Sequence, residues 1–258
     1  MQNDNFKYKY EFAGLTDIGR KRKNNEDRLI LHPEQGFFAV SDGMGGLRYG
    51  ETAAIYVSES LPGMIDLCAK ECAGRPEPET AAKEMEKAVQ MLSDALYRKG
   101  NSPRRFDYGA TIAGVWLYDD KAVFIDLGDS RGYLFPASTE ALVQVTQDMN
   151  IAGMLVRMGE MTREEAKNSP AGNRLTAFVG MEEPATPETF IETVHPGDVI
   201  LLCSDGLFGI TPETEIIEIL QSGKTPEEIC KALIDAANAH GGRDNISAVY
   251  IRILPEQK

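Results

Sequence analysis

Acidic residues end three apolar stretches of this 258-residue chain, and a small residue follows each of them. They are Asp42 in VSDG, Asp129 in LGDS and Asp205 in CSDG. Taken singly, each segment is typical of a turn, because Asp-Gly favours tight hairpins and an Asp side chain can cap its own turn. Three further acids, Glu26, Asp27 and Asp244, lie just before or at the start of other predicted strands. The six acids would form a cluster if strand pairing brought them together.

The first convergence is predicted near the N-terminus. Glu26 and Asp27 precede a predicted strand over 28–31, and the next predicted strand, over 37–40, leads to Asp42. If these strands form a hairpin, the start of the first and the end of the second share one edge. Directly paired residues on adjacent strands lie only about 5 Å apart, so the hairpin would gather all three acids.

A second convergence is expected near the C-terminus. Asp205 follows a predicted strand over 199–203, and Asp244 precedes the last predicted strand, over 246–253. Antiparallel pairing of these two strands would bring the two acids together. We expect Asp129 at the tip of a tight hairpin between two more strands.

Metal binding is the chemistry that such a cluster favours. Carboxylates gathered in one cleft raise each other's pKa unless a cation neutralises them. Carboxylate, backbone carbonyl and water are the ligands of Mg²⁺ and Mn²⁺, whereas the three histidines are too scattered in sequence for a zinc site. Two such ions about 4 Å apart can activate a shared water and stabilise the charge of an in-line phosphoryl transfer. The acids therefore predict metal-assisted phosphoester hydrolysis with no covalent intermediate and no catalytic histidine.

A basic run, Arg20 to Lys23, precedes Glu26 in an otherwise acidic chain. Most short basic runs are solvated surface. An arginine that leads into a metal cluster also suits bidentate recognition of phosphate, and the residues alone leave both interpretations open.

The composition excludes several classes of protein. The 27 basic and 40 acidic side chains give a net charge of −13, which argues against nucleic-acid or membrane-surface binding because both need a basic face. No apolar run approaches the roughly 20 residues that span a bilayer, no signal peptide is apparent, and the four cysteines lack metal or redox spacing. We expect a cytoplasmic monomer.

The stretches between the acids predict an α+β layered fold. Short runs rich in β-branched and aromatic residues predict strands, and several follow one another through turns alone, as in antiparallel sheets. An apolar stripe predicts a helix over 79–97, and another helix, over 53–61, is expected to end at Pro62-Gly63. Capping boxes at Thr162 and Thr225 predict the starts of two more.

We expect one domain spanning residues 1–258. The chain has no internal repeat, and its loop-like segments, over 72–78 and 98–107, are too short to be convincing linkers.

Six motifs in this order resemble those of the metal-dependent protein serine/threonine phosphatases of type 2C, in their compact bacterial form. They are NNED (24–27), SDGMGG (41–46), YGAT (108–111), GDSRG (128–132), CSDGL (203–207) and GGRDNIS (241–247). The resemblance covers nearly the whole chain. It implies a central antiparallel β-sandwich flanked by helix pairs, in four αββα layers. It also implies hydrolysis of phosphoserine and phosphothreonine in proteins, opposing a serine/threonine kinase.

The resemblance further implies two Mg²⁺ or Mn²⁺ ions and their ligands. Asp42 bridges the ions, and the backbone carbonyl of Gly43 binds the second. Asp205 and Asp244 complete the first.

The remaining motif residues receive supporting roles from the same resemblance. Glu26 and Asp27 hold waters on the second ion, and Asp129 serves a third, weaker ion together with Asp205. Arg22 binds the substrate phosphate, and Asn245 supports the water shell of the first ion. Ser204 and Gly206 flank Asp205 as supporting residues.

Three residues depart from the family pattern. Met44 stands where animal members carry a histidine proposed as general acid, so water must protonate the leaving group. Met149 follows Asp148 where a histidine is usual, and Ala177 replaces a common arginine. The last two departures concern the substrate surface rather than the metals.

The segment over 150–173 resembles the flap that lies beside the family's cleft. Its three methionines, Met154, Met158 and Met161, could serve adaptable peptide docking, but we expect core filling.

Three rival functions remain. Gly43 to Gly46 after a strand could cradle a nucleotide phosphate, although the lysine of a P-loop is absent. A catalytically inactive phosphoprotein-binding relative and a hydrolase of small phosphoesters are the other two.

Overall fold

Two antiparallel sheets form the centre of the molecule, in a computed structural model that describes residues 6–44, 47–72, 77–100, 107–167, 169–182 and 184–255. The strands are β1 (Lys9–Asp17), β2 (Asp27–His32), β3 (Phe37–Asp42), β4 (Ile112–Tyr118), β5 (Lys121–Leu127), β6 (Arg131–Phe135), β7 (Val143–Gln144), β8 (Glu188–Thr193), β9 (Val199–Cys203) and β10 (Ile246–Leu254). The helices are α1 (Gly50–Cys72), α2 (Pro78–Gly100), α3 (Ile151–Arg157), α4 (Arg163–Lys167), α5 (Asp205–Phe208), α6 (Glu213–Leu220) and α7 (Pro226–Ala239), with a 3₁₀ turn over Pro170–Asn173.

The strand order explains which segments become neighbours. The first sheet has the order β1-β10-β9-β6-β7, and the second has the order β2-β3-β4-β5-β8. Both predicted pairings are confirmed: β2 and β3 form a hairpin, and β9 lies antiparallel to β10.

Four layers follow from strands whose two faces are both buried. In β3, Phe38 and Val40 point into the core between the sheets, while Phe37 and Ala39 face the opposite side, as the two-residue period of a strand requires. Helices α1 and α2 cover the second sheet, and α6 and α7 pack together with α7 against β1 and β10 of the first. The α+β sandwich with flanking helix pairs is confirmed.

The strands on either side of Asp129 do not form the expected hairpin. β5 belongs to the second sheet and β6 to the first, so the chain crosses between sheets at this point. Gly128 permits the crossing because its φ is +134° and a Cβ there would lie 2.6 Å from the Cβ of Thr111. The prediction of a tight hairpin was wrong, because both elements are strands whose partners lie elsewhere in the chain.

Helix α1 continues through Pro62, where the sequence suggested its end. Its buried stripe extends past the proline, from Leu61 to Ile65 and Cys68. A proline inside a helix removes one backbone hydrogen bond and clashes with the preceding turn. The burial of the second half against the sheet and α2 outweighs that cost.

The capping boxes at Thr162 and Thr225 are confirmed as the starts of α4 and α7. Among the described residues, no helix combines the length and apolarity that crossing a bilayer requires. Both loop-like segments of the sequence lie partly outside the described ranges, so the single-domain organisation stays a prediction.

Candidate metal centre

The β2–β3 hairpin pairs Asp27 directly with Asp42. Asp27 is buried, and its Oδ2 accepts hydrogen bonds from the hydroxyls of Ser204 and Ser247, each at 2.7 Å. Its Oδ1 is also buried but has no hydrogen-bond partner among the described residues. One carboxylate oxygen is therefore fixed from the residue after β9 and from β10, and the other has no donor in the part of the chain that the structure describes.

Backbone hydrogen bonds hold Asp42 in place from the neighbouring strand. Its N–H donates to Oγ1 of Thr111 at 3.1 Å, and the Thr111 N–H donates to the Asp42 carbonyl at 2.8 Å. Thr111 Oγ1 lies 2.7 Å from Oγ of Ser130. These two hydroxyls explain why the YGAT and GDSRG motifs accompany the acids, a role that sequence reasoning missed.

Gly43 lies where two pieces of backbone approach closely. Its N–H donates to the carbonyl of Glu26 at 3.2 Å, and a Cβ at this position would lie 2.5 Å from the Gly50 carbonyl oxygen. No larger residue fits without moving the start of α1. The contact also keeps Glu26 beside the end of β3.

The second group of acids lies where β9 ends and β10 begins. Ser204 caps α5, and Asp205 is its first residue. A Cβ on Gly206 would lie 1.8 Å from the Asn245 carbonyl oxygen, so the small residue after the acid allows α5 to approach β10. One oxygen of Asp205 is buried without a hydrogen-bond partner among the described residues.

Asn245 joins three segments at this end of the molecule. Its Oδ1 accepts from the Glu26 N–H at 2.8 Å, and its Nδ2 donates to the carbonyls of Ile18 and Asn24 at 3.0 and 2.9 Å. We expected it to support a metal's water shell. In the structure its buried amide positions the backbone of Glu26.

Arg22 forms an ion pair with Asp244, with 2.6 Å between Nη2 and Oδ2. The other oxygen of Asp244 accepts from the Asn245 N–H at 2.8 Å. The structure therefore brings the expected phosphate-binding arginine into contact with an expected metal ligand.

Asp129 reaches the same cleft because β6 pairs with β9. The register places Arg131 opposite Cys203, two residues before Asp205. Asn150 donates a long hydrogen bond, 3.4 Å, to Asp129 from the start of α3. The crossing between sheets, rather than a hairpin, thus explains how Asp129 approaches Asp205.

The cluster carries more negative charge than its surroundings neutralise. Burial raises the pKa of Asp42 well above its usual value, and the charge of Asp27 adds to the rise. Burial and the charge of Asp129 likewise raise the pKa of Asp205 well above its usual value. Burial, followed by the charge of Asp148, raises the pKa of Asp129 to about 6. Buried carboxylates that repel one another in this way are stabilised when a cation binds to them.

The donor set fits hard divalent cations. All the candidate side-chain ligands are carboxylate oxygens, and Asp27 and Asp205 each have a buried oxygen without a hydrogen-bond partner in the described ranges. No three His, Cys, Asp or Glu side chains among the described residues form a ready-made ligand group. In Mg²⁺ sites one or two carboxylates commonly bind, and water fills the other positions.

A cleft of about 840 Å³ opens beside the cluster. Residues Asp129, Asp205 and Asp244 line one end, and parts of the 150–173 segment line one wall. Met154 of α3 and Met158, which follows the helix, are exposed by 36% and 61%, so the prediction that these two fill the core was wrong. The departures Met149 and Ala177 both pack with the core around α1 and α2.

Three comparisons place the chain among known proteins. A family model described as protein phosphatase 2C matches residues 19–247. The serine/threonine phosphatase stp of Listeria monocytogenes is 33% identical over 240 residues, which cover 92% of this chain and 93% of that protein. Protein phosphatase PhpP of Streptococcus pneumoniae is 27% identical over 253 residues, covering 95% and 98%.

Solved structures show the same architecture. Serine/threonine phosphatase Stp1 from Staphylococcus aureus superposes with a TM-score of 0.84 at 26% identity, covering 98% of this chain and 97% of that one. The catalytic domain of the phosphatase PstP, in complex with two manganese ions, gives a TM-score of 0.75 at 26% identity, with coverage of 95% and 98%.

Proposed function

The chain belongs to the protein phosphatase 2C family, and we propose that it is a metal-dependent protein serine/threonine phosphatase that hydrolyses phosphoserine and phosphothreonine. One observation carries the proposal. Acids from separate parts of the chain gather beside one cleft, and Asp27 and Asp205 each keep a buried oxygen that no described residue satisfies. An acid cluster of this kind is unfavourable unless cations occupy it.

Two Mg²⁺ or Mn²⁺ ions would be held by residues from both strand pairs. Asp42 would be shared between them, with Asp205 and Asp244 on one side and the Gly43 carbonyl and Glu26 on the other. When bound, the ions supply an activated water and neutralise the charge of the transferring phosphoryl group. Asp27 supports the second position through its free oxygen.

A third, weaker ion would use Asp129 together with Asp205. The long hydrogen bond from Asn150 leaves Asp129 able to bind a cation. A pKa of about 6 keeps Asp129 largely ionised at neutral pH.

The protein side chains orient the substrate and do not supply its protons. Arg22, half-exposed and paired with Asp244 of the cleft wall, offers a planar donor pair that suits a phosphate. Met44 has no proton to donate, so water protonates the leaving alcohol. Neither role requires a histidine.

The deciding experiment is turnover of a phosphothreonine peptide with and without Mn²⁺. We expect phosphate release in millimolar Mn²⁺, none in EDTA, and losses of at least about 10³-fold in Asp42→Asn and Asp205→Asn, since each removes charge from a metal position. Asp235→Asn, an exposed acid on α7, is the matched control. Undiminished activity in either cluster variant would remove the two-metal mechanism.

The rival functions have distinct outcomes in the same assay. Faster turnover of sugar phosphates than of phosphopeptides would favour a small-molecule hydrolase, and phosphopeptide binding without turnover would favour an inactive scaffold. Gly45 and Gly46 of the nucleotide hypothesis lie outside the described residues.

We propose phosphorylated proteins as substrates, with an opposing serine/threonine kinase, in the cytoplasm.

A further inference from the structure

Three basic side chains line the cleft beside the acid cluster: Arg131, Lys167 and Arg243. The rest of its charged lining is acidic, with Asp148, Glu164 and Glu213 in addition to the cluster itself. A substrate that carries negative charge near its phosphoresidue would therefore be repelled unless one of the three cations attracted it.

Two of the three cations are already occupied within the protein. Arg131 makes two hydrogen bonds to Asp148, at 2.7 and 2.6 Å, and its guanidinium lies 3.7 Å from the ring centroid of Phe208. Lys167 pairs with Glu164 at 3.5 Å, one turn away on α4. Neither is free to bind an anion from solution without losing an internal partner.

Arg243 differs from both. It is exposed, and it makes no ion pair or side-chain hydrogen bond with any residue in the described ranges. Its neighbour Asp244 does not need it, because Arg22 and the Asn245 N–H already occupy the two Asp244 oxygens. An unpaired guanidinium thus remains beside the site where the phosphate is expected.

The backbone around Arg243 is fixed rather than free. Gly241 and Gly242 have φ values of +120° and +48°, which turn the chain sharply before the arginine. The Gly242 carbonyl accepts from the Arg20 N–H at 2.7 Å, and Asn245 anchors the other side. The position of the Arg243 backbone at the edge of the cleft is therefore set by the fold.

We propose that Arg243 binds a second anionic group of the substrate, close to the scissile phosphoresidue, and so makes the enzyme favour acidic phosphosites. The proposal rests on the proposed phosphatase function. The second anion is a carboxylate side chain or another phosphate, since a guanidinium recognises both through paired hydrogen bonds.

The test compares kcat/KM for three phosphothreonine peptides of the same length. One has neutral residues beside the phosphothreonine, one has glutamate on both sides, and one has a non-hydrolysable phosphonate in place of a glutamate. We expect the wild type to favour the two anionic peptides by about tenfold, the ratio that one charge-assisted hydrogen bond gives. In Arg243→Ala this ratio should fall to one or below, because the remaining charges of the lining are mostly acidic, and Arg243→Lys should restore part of it.

Lys231→Ala is the control, because it also removes one positive charge but lies on the exposed face of α7, outside the cleft. Its ratio should match the wild type. The Mn²⁺ concentration for half-maximal rate separates substrate recognition from damage to the metal positions, and should not change in Arg243→Ala.

The other outcomes either overturn the role of Arg243, overturn the phosphatase function with it, or identify the anion that Arg243 recognises. An equal loss for all three peptides, or a wild type without preference, would overturn the role of Arg243 and leave the phosphatase function standing. No turnover of any peptide by the wild type would overturn both. A preference confined to the glutamate or to the phosphonate peptide identifies which anion Arg243 recognises.

Discussion

Arg22 and Asp244 lie 222 residues apart in sequence, yet their side chains meet at 2.6 Å. The pair is half-exposed and lies at the edge of the acid cluster. A carboxylate that is expected to bind a metal thus holds the guanidinium that is expected to bind phosphate. A metal on Asp244 would compete for the same carboxylate and release Arg22 toward the substrate.

Replacing Arg22 with alanine should weaken substrate binding more than chemistry. We expect KM for a phosphothreonine peptide to rise by about tenfold, as for loss of a charge-assisted contact, with a smaller change in kcat, because phosphate docking is largely ground-state binding. Steady-state kinetics at saturating Mn²⁺ would measure both constants. Lys23→Ala, an exposed residue of the same basic run, should behave like the wild type. A fall in kcat at constant KM would contradict the docking role.

The two hydroxyls on Asp27 lead to a second prediction. Ser204 and Ser247 fix one oxygen of the carboxylate and thereby aim the other. Groups that orient the ligands or bound waters of a metal ion typically change the affinity for that ion by 10- to 100-fold. We expect Asp27→Asn to weaken Mn²⁺ binding by about that factor, and Ser247→Ala to weaken it by less, in calorimetric titrations. Equal affinity in Asp27→Asn and wild type would place Asp27 outside the metal centre.

Most features that the sequence predicted correctly depend on residues that lie close together in the chain. The hairpin from Asp27 to Asp42 needs only a short loop and two apolar runs. The capping box at Thr225 involves four consecutive residues. Convergence of the acids followed from their positions at strand ends and from the antiparallel pairing of β2 with β3 and of β9 with β10.

Long-range packing decided what the sequence could not predict. Whether β5 pairs with β6 or with β8 depends on which sheet each strand joins, and no local pattern encodes that choice. Helix α1 passes Pro62 because of surface buried on distant strands. The sequence did not show that Arg131 and Asp148 would meet, and only the fold makes them a partly buried ion pair.

The exposed methionines in and just after α3 lead to a third prediction. Met158 is 61% exposed, whereas Met85 of α2 is fully buried. Met158→Ala should change the free energy of unfolding by less than about 0.5 kcal/mol, while Met85→Ala should cost about 2–5 kcal/mol. Urea unfolding measures both variants. A large loss in Met158→Ala would restore the core-filling hypothesis.

Asp126 is a buried carboxyl that the metal centre does not use. Its Oδ2 accepts from the Gln147 N–H at 3.0 Å, and its Oδ1 has no partner among the described residues. Burial raises its pKa well above the usual value, and the charges of Asp148 and Glu188 add to the rise. In the folded protein Asp126 therefore keeps its proton to a higher pH than in the unfolded chain, in which an aspartate releases it near pH 4.

This difference makes the stability contribution of Asp126 depend on pH. Because the folded state binds more protons, the contribution is greatest in acid and falls as pH rises above the unfolded pKa toward the folded one, by up to about 1.4 kcal/mol per pH unit. Asp126→Asn keeps an acceptor for Gln147 but cannot ionise. Its stability relative to wild type should therefore increase between pH 5 and pH 7.

Urea unfolding in EDTA at pH 5, 6 and 7 tests this prediction, with exposed Asp235→Asn as the control. Other carboxylates with a raised pKa, such as Asp42, also make the wild type less stable as pH rises. The difference between wild type and Asp126→Asn cancels their effect, because both proteins contain them. A difference that stays constant across the three pH values would mean that Asp126 is already ionised in the folded protein, and its unpaired oxygen would then need a cation or an ordered water that the protein alone does not supply.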